Sequence, residues 1–206
     1  MPQHYEISRL TFRPNGVGAA LPAIERSLGG ANVPGRLAAV WISELGALNE
    51  VMIVHAIDDP GAAVAFRDAR ARQGDIFGVG EQLVGFSASS YASFPTVPAM
   101  PSGRFGPVFE VREYDVKLTA LPALLAAWEA ALPGRIKLSP LVTAVYGLDG
   151  TQPKIMHVWP FKDLVERGRI RGEAVAAGIW PPKGGAEYLG TMRSSIYLPA
   201  PFSPLQ

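Results

Sequence analysis

WISELGALNEVMIVHAIDD, residues 41–59, is the stretch from which the rest of the chain can be interpreted. It predicts a strand over residues 37–44, a turn at Gly46 and a second strand over residues 49–57. Asp59 followed by Pro60 predicts a helix start, because an aspartate side chain can cap free backbone N–H groups and proline at the first helical position has no N–H to leave unpaired. The stretch is therefore a β-hairpin that leads into a helix.

The second strand of this hairpin occurs twice in the chain. KIMHVWPFKD, residues 154–163, repeats EVMIVHAIDD, residues 50–59, at an offset of 104. The same offset relates FEV at residues 109–111 to YEI at residues 5–7, and it relates the apolar positions of a predicted helix at 121–132 to those of one at 17–28. Matches at one constant offset indicate that the chain is an internal duplication.

Each half predicts the same order of elements. The first half has predicted strands at 4–13, 37–44, 49–57 and 82–91, with helices at 17–28 and 60–73. The second half has predicted strands at 108–117, 136–146, 154–161 and 187–197, with a helix at 121–132 and another that opens at Asp163, where Glu166 forms a variant of the capping box. This βαββαβ order is ferredoxin-like, so the predicted fold class is α+β with two tandem ferredoxin-like repeats. The predicted division is a first repeat over 1–97, a Pro/Gly linker over 98–107 and a second repeat over 108–206 with a proline-rich tail.

The predicted sheets need a partner. A four-stranded sheet with both helices on one face leaves its other face uncovered, and that apolar face must be buried. The two copies could stack sheet against sheet to close an α+β barrel within the chain, or each could pair with a second chain. We therefore expect association, including a homo-oligomer, with both arrangements open. The tail, residues 198–206, is expected to lie extended on the surface or across a partner.

Composition excludes several classes of function. The chain has 206 residues and a net charge of +1, so there is no basic excess to neutralise phosphates and no nucleic-acid partner is expected. It has no cysteine, which excludes disulfides, thiolate metal ligands and a cysteine nucleophile. The amino terminus lacks a long apolar run, so we expect no membrane span and a cytoplasmic location. The sequence has no HExxH or clustered carboxylate motif, and no metal site is predicted.

Several stretches resemble the NIPSNAP family. The pattern W-x-x-E-x-G-x-L-N-E begins at Trp41, and the second half contains LSPLV at 138–142, HVWPF at 157–161, GIWPPK at 178–183 and LPAPFSPL at 198–205. The resemblance covers nearly the whole chain and implies a dimeric α+β barrel fold, but it implies little about activity. The family usually has a histidine in the third strand of each repeat. His157 has that position in the second repeat and Ile53 in the first, so any site is expected to be asymmetric.

Two histidines are the leading candidates for catalysis. Strand alternation places His55 and His157 on equivalent faces of the two hairpin strands, among apolar neighbours. A histidine there could act as a base, a ligand or a hydrogen-bond donor, and the two could line one cavity if the repeats stack. The alternative for each is a buried histidine that is satisfied within the core.

Carboxylates and other polar groups complete the candidate site. Glu44 and Glu50 flank the first hairpin turn and could form a catalytic pair, while Asn49 could bind a ligand or hydrogen-bond the turn backbone. Glu110 and Arg112 share one face of a strand and could orient an anionic ligand or form a simple ion pair. The remaining predicted ligand-binding residues are Trp41, Tyr146, Trp159 and Arg193, of which Trp41 could equally belong to the core.

Two functions from different classes remain open at this point. The first is a largely apolar small-molecule pocket, between sheet and helices or within the barrel. By analogy of fold, it could serve an enzyme similar to a cofactor-independent monooxygenase or an isomerase. No cofactor is required, although haem binding is conceivable by the same analogy. The second is a scaffold that binds proteins through its proline-rich linker and tail.

Overall fold

The computed structural model describes residues 3–30, 33, 35–74 and 76–206. The first repeat contains β1 (His4–Phe12), α1 (Gly16–Leu28), β2 (Arg36–Leu45), β3 (Glu50–Ile57), α2 (Pro60–Gln73) and β4 (Leu83–Ser93). The second contains β5 (Val108–Val116), α3 (Leu121–Arg135), β6 (Thr143–Gly147), β7 (Lys154–Phe161), α4 (Leu164–Ala176) and β8 (Leu189–Pro199). Residues 1, 2, 31, 32, 34 and 75 of the predicted first repeat lie outside the described residues.

The eight strands form one closed barrel in the order β1-β3-β2-β8-β5-β7-β6-β4. Within each repeat the order 4-1-3-2 is ferredoxin-like, which confirms the predicted fold class. The repeats join at two antiparallel seams, β2 against β8 and β4 against β6. The barrel therefore closes within a single chain, and the open sheet faces that gave the reason to expect a second chain are buried inside it.

Side-chain capping starts the two predicted helices where the sequence placed them. The carboxylate of Asp59 accepts the Gly61 N–H at 2.8 Å, and that of Asp163 accepts the Glu166 N–H at 2.7 Å. The Glu166 carboxylate in turn accepts the Lys162 N–H at 2.6 Å, so the reciprocal capping pattern is confirmed. These caps satisfy backbone donors that have no partner within the helix.

Strand alternation divides the apolar side chains into a barrel core and two helix-facing layers. Trp41 stacks on Phe109 inside the barrel, with ring centroids 5.1 Å apart. The barrel core also includes Tyr5, Ile7, Met52, Val54, Val111, Met156, Val158 and Tyr197. Because these side chains fill the interior, the described part of the barrel is a packed core, and the expected pocket must lie elsewhere.

A polar cluster lies at one end of this core. The Arg9 guanidinium contacts Glu50 at 3.1 Å and Glu113 at 2.7 Å, and the Tyr197 hydroxyl donates to Glu50 at 2.5 Å. Burial alone would lower the pKa of Arg9, but the Glu113 and Glu50 carboxylates raise it, so the guanidinium stays charged. Arg9 and Glu113 are 104 positions apart, so they occupy equivalent places in the two repeats.

One predicted strand is shorter than expected. Residues 136–146 were predicted as a strand, but only Thr143–Gly147 pairs, as β6. Helix α3 instead continues to Arg135, whose buried guanidinium donates to the Ser139 hydroxyl at 2.8 Å and holds the following residues in a turn. Pro140 then has no N–H to offer a neighbouring strand.

The tail and linker do not lie free on the surface. Ser203 accepts the Val40 N–H at 3.0 Å and donates to the Leu205 carbonyl at 2.8 Å, and the Leu205 side chain is fully buried in the barrel core. From the linker, the Met100 N–H donates to the Tyr5 hydroxyl at 2.8 Å. The expectation of an exposed tail is therefore wrong, because tail and linker together close one end of the barrel. No helix in the described ranges is long and apolar enough to span a membrane.

We expect Leu205→Ala to lower the free energy of unfolding by about 2–5 kcal/mol, because the substitution leaves a cavity in a packed core. Urea unfolding followed by circular dichroism measures the change. Leu118→Ala is the matched control, since Leu118 is 79% exposed and its truncation should cost less than about 0.5 kcal/mol. Equal stability of Leu205→Ala and wild type would contradict the assignment of the tail to the core.

Candidate functional site

Both candidate histidines lie on the helix-facing side of the barrel wall. In β7, Met156 and Val158 belong to the barrel core, so His157 and Trp159 project outward. His55 in β3 projects outward in the same way, between Val54 and Ala56 of the core. The hypothesis that the two histidines line one cavity is therefore wrong, because each lies beneath the helices of its own repeat.

His157 lines a cavity of 220 Å³ in the second repeat. The cavity lies between the sheet and helices α3 and α4, beside the segment that leads into β8. Apolar side chains form most of its wall, among them Leu124, Trp128, Trp180, Leu189 and Met192. Its polar groups come from Arg112, Tyr114, His157 and Arg171.

One hydrogen bond fixes the tautomer of His157. The Trp159 indole N–H donates to His157 Nδ1 at 2.7 Å, so Nδ1 carries a lone pair and the proton of the neutral ring is on Nε2. His157 Nε2 is buried and has no hydrogen-bond partner in the described part of the chain. A buried donor without a partner is rare, and at a cavity wall it is a group that a ligand can satisfy.

The surroundings of His157 keep the ring neutral. Burial lowers its pKa far below the ordinary value, and the charges of Arg112, Arg171 and Arg135 lower it further. Protonation would also place a second N–H against the indole donor. With its proton on Nε2 and its other nitrogen bonded to Trp159, the neutral ring offers a hydrogen-bond donor rather than a base.

Glu110 and Arg112 form the expected ion pair beside this cavity. The Arg112 guanidinium donates to Glu110 at 3.0 Å and to the Tyr114 hydroxyl. Glu110 also accepts from Arg167 at 2.6 Å and from Ser194 at 2.7 Å. Burial would raise the pKa of Glu110, but these donors and charges lower it, so the carboxylate is ionised.

Trp159 is held from its other side by a buried cation. The Arg135 guanidinium lies 4.1 Å from the Trp159 ring centroid. Burial, followed by the charge of Arg171, lowers the pKa of Arg135 to about 10, so it remains protonated at neutral pH. Trp159 thus contacts His157 and Arg135 and does not line the cavity.

His55 has a different environment in the first repeat. Its ring stacks on Phe77 with centroids 6.4 Å apart and lies 6.2 Å from Phe66, and neither ring nitrogen has a described hydrogen-bond partner. Burial, with a smaller contribution from Arg70, lowers the pKa of His55 to about 4. A neighbouring cavity of 370 Å³ is lined by Phe66, Arg67 and Phe86, but His55 does not line it.

The carboxylates of the first hairpin are not brought together as a pair. Glu44 is exposed at a bulge where the register between β2 and β8 shifts, whereas Glu50 is buried against Arg9 inside the barrel. Asn49 adopts a positive φ of 56° in the turn, and its backbone carbonyl accepts the Phe12 N–H at 2.8 Å. The positive φ suits asparagine and favours a role of Asn49 in the turn.

Three other predicted ligand-binding residues lie away from the cavity. Trp41 is part of the barrel core. Tyr146 packs against the apolar layer beneath α3, with its ring centroid 6.5 Å from that of Phe94. Arg193 is exposed on β8 opposite Glu113.

The cavity residues that sequence reasoning missed include Tyr114, Trp128, Arg171 and Trp180. A usable signal was the comparison of the repeats at the offset of 104. It places the three aromatic residues where the first repeat has the aliphatic residues Leu10, Ile24 and Ile76. A change from aliphatic to aromatic at three positions around one histidine indicates a cavity peculiar to the second repeat.

Because Trp159 fixes the tautomer, we expect the wild-type protein to show a proton on Nε2 of His157 and none on Nδ1. Trp159→Phe removes the indole donor and should give a mixture of tautomers. Two-bond ¹H–¹⁵N correlation spectra of the imidazole measure both states. A wild-type spectrum with the proton on Nδ1 would contradict the assignment.

We expect His55 to make the folded state sensitive to acid. The ordinary pKa of histidine is 6.5, and burial lowers the pKa of His55 in the folded protein to about 4. Between these two pH values the unfolded chain binds more protons than the folded chain. The free energy of unfolding is therefore greatest above pH 6.5 and falls as the pH falls towards 4. When the pH is lowered from about 7.5 to about 5, the free energy of unfolding of wild type should fall by about 2 kcal/mol more than that of His55→Phe. Urea unfolding at the two pH values measures the difference, and equal losses would show that His55 does not contribute.

Comparison with known proteins finds a family model that matches the second repeat and a curated relative that matches about two thirds of the chain. The NIPSNAP family model matches residues 109–204, which run from β5 into the tail. The NipSnap homolog of Dictyostelium discoideum is 25% identical over 143 residues, which are 68% of this chain and 63% of that protein. The chain thus spans a little under two thirds of this curated relative.

Solved structures give the same two levels of similarity. A NIPSNAP family protein of unknown function from Agrobacterium tumefaciens is 29% identical, covering 50% of this chain and 96% of its own, with a TM-score of 0.46. A candidate monooxygenase from Lactobacillus acidophilus NCFM matches 96% of this chain and 94% of its own, with a TM-score of 0.68 and 9% identity. At this low identity, the second likeness shows the fold alone. The family model matches the second repeat, so residues 109–204 are a NIPSNAP domain.

Proposed function

We propose that the chain binds a small, largely apolar molecule in the cavity of the second repeat and holds one oxygen of that molecule with the Nε2–H of His157. The observation that carries the proposal is the buried Nε2 without a partner, on a neutral ring that lines a cavity. Leaving such a donor unpaired costs free energy, which a ligand acceptor recovers on binding.

The size and lining of the cavity limit the ligand. Its volume of 220 Å³ lies below the range of about 300–1,000 Å³ that is typical of pockets for drug-sized ligands. Trp128 and Trp180 meet edge to face with ring centroids 4.7 Å apart and give the wall flat apolar surfaces. A one-ring or two-ring molecule with few polar atoms fits this description.

The polar groups favour one kind of chemistry. A neutral donor beside two guanidinium groups stabilises negative charge that develops on a ligand oxygen, as in the formation of an enolate or phenolate. No carboxylate lines the cavity in the described residues, so a reacting ligand would have to lose its proton to water. Oxygenation of such an anion by dioxygen, or its reprotonation at another atom to give an isomer, is consistent with this arrangement, and the likeness to a candidate monooxygenase supports it at the level of fold.

The cavity does not fit haem. Iron ligation by His157 needs a lone pair on Nε2, but the bond from Trp159 leaves the lone pair on Nδ1. The cavity volume also corresponds to a molecule much smaller than a porphyrin. We therefore derive no reaction step through haem.

The rival scaffold hypothesis depends on segments that are not free to dock. The linker and tail are hydrogen-bonded to each other and to the barrel, and Leu205 is buried. A protein partner would have to displace these segments from the core, at a cost in stability. This consideration favours the small-molecule function.

Isothermal titration with 1-naphthamide tests the proposal, because this neutral bicyclic compound offers one carbonyl acceptor. We expect binding to wild type and about tenfold weaker binding to His157→Asn, which keeps an acceptor for Trp159 but is too short to donate into the cavity. His55→Phe is the matched control and should bind like wild type, since His55 does not line this cavity. Equal affinity of wild type and His157→Asn, or no binding at all, would overturn the proposal.

A further inference from the structure

Three arginines of the second repeat surround a single carboxylate. Glu110 contacts Arg167 at 2.6 Å, Arg112 at 3.0 Å and Arg171 at 3.7 Å. A fourth, Arg135, interacts electrostatically with Glu110 at longer range and is in no ion pair within the described residues. Glu110 is also the only carboxylate within ion-pair distance of the other three arginines among the described residues. The cluster thus carries a clear excess of positive charge.

This excess charge lies partly out of water. Glu110 is 1% exposed and Arg135 is 2% exposed, while the side chains of Arg112, Arg167 and Arg171 are 16%, 27% and 38% exposed. Burying charge without a counter-ion is costly, because the low-dielectric interior screens like charges poorly. Such a cluster is expected to persist only where an anion comes to it.

The first repeat provides an internal comparison. Its buried carboxylate, Glu6, contacts one arginine, Arg67 at 3.2 Å, which also pairs with Asp149 at 3.0 Å. At the offset of 104, Arg67 corresponds to Arg171, but the positions of Arg112 and Arg167 are occupied by Ser8 and Ala63. The positive excess therefore belongs to the repeat that holds the His157 cavity.

Two of these arginines face the cavity, and one of them has donors to offer. Arg112 and Arg171 both line it. Arg112 already donates to Glu110 and Tyr114, whereas Arg171 makes no hydrogen bond in the described residues, and its contact with Glu110 is longer than a hydrogen bond. A guanidinium has a planar fork of donors that matches the two oxygens of a carboxylate.

We propose that the ligand of the second-repeat cavity is a carboxylic acid on a planar apolar body, with its carboxylate bound by Arg171 beside Arg112. This inference rests on the proposed function and adds the class of ligand. The flat surfaces of Trp128 and Trp180 suit an aromatic or conjugated body, and the His157 donor holds an oxygen of the same molecule. The carboxylate supplies the counter-ion that the cluster lacks.

A matched pair of ligands tests the charge. 1-Naphthoate and 1-naphthamide differ in charge and hardly in shape. We expect 1-naphthoate to bind wild type about tenfold more tightly than 1-naphthamide does, because hydrogen bonds between charged groups contribute about twice as much as neutral ones. Arg171→Gln should abolish that preference by weakening the acid about tenfold, with the amide unchanged.

Arg169→Gln is the matched control on the same helix. Arg169 pairs with Glu173 at 2.6 Å on the exposed face of α4, so its substitution removes the same charge away from the cavity. It should leave the affinities for both compounds as in wild type. If the effect of Arg171→Gln came from long-range charge alone, Arg169→Gln would weaken the binding of 1-naphthoate to the same extent.

A measurement without ligand gives an independent test. If the cluster is short of a counter-ion, Arg171→Gln relieves repulsion and should raise the melting temperature of the free protein by about 2–4 °C, whereas Arg169→Gln should not raise it. A lower melting temperature for Arg171→Gln would overturn the inference. Equal affinity of 1-naphthoate and 1-naphthamide would also overturn the inference. If the amide still binds in a way that depends on His157, the proposed function stands. Binding of neither compound would overturn both.

Discussion

Pairing of strand edges between the two repeats is the constraint on which the structure depends. A single repeat would leave one apolar sheet face in water, together with edge strands whose backbone groups have no partners. The seams of β2 with β8 and of β4 with β6 remove both problems at once, because they close the barrel and enclose the side chains around Trp41 and Phe109. Closure also places all four helices outside. The spaces between sheet and helix thereby become the natural positions for a ligand.

The sequence predicted correctly those features that depend on interactions between neighbouring residues. The constant offset revealed the duplication, and Asp59 and Asp163 marked helix starts because capping needs only a few neighbouring residues. Residues 136–142 were assigned wrongly because a contact of Arg135 with Ser139 outweighed their apolar pattern. Alternation placed His55 and His157 on equivalent faces, but it could not tell which face lies inside the barrel. That depends on where the helices pack, which is a tertiary property.

The candidate site was the least predictable part of the molecule. The proton position on His157 follows from one hydrogen bond with Trp159, two residues along the same strand, and a sequence pattern does not reveal side-chain hydrogen bonds. The arginines around Glu110 come from β5, α3 and α4, so their shared carboxylate becomes visible only in three dimensions. Both features belong to the second repeat, in which aromatic and cationic residues replaced aliphatic and small ones. The two halves therefore share a fold but differ in chemistry.

The contact between Arg9 and Glu113 has a consequence for the history of the chain. The strand order of the barrel is unchanged when each repeat is exchanged for the other, so two single repeats could in principle assemble in the same way. Two copies of the first repeat would then bring arginine against arginine at this position, and two copies of the second would bring glutamate against glutamate, each at a partly buried end of the barrel core. Because the charges at these equivalent positions are opposite, they favour pairing of the two different halves and disfavour pairing of two identical ones. A symmetric dimer of either half alone would therefore need a different residue at this position.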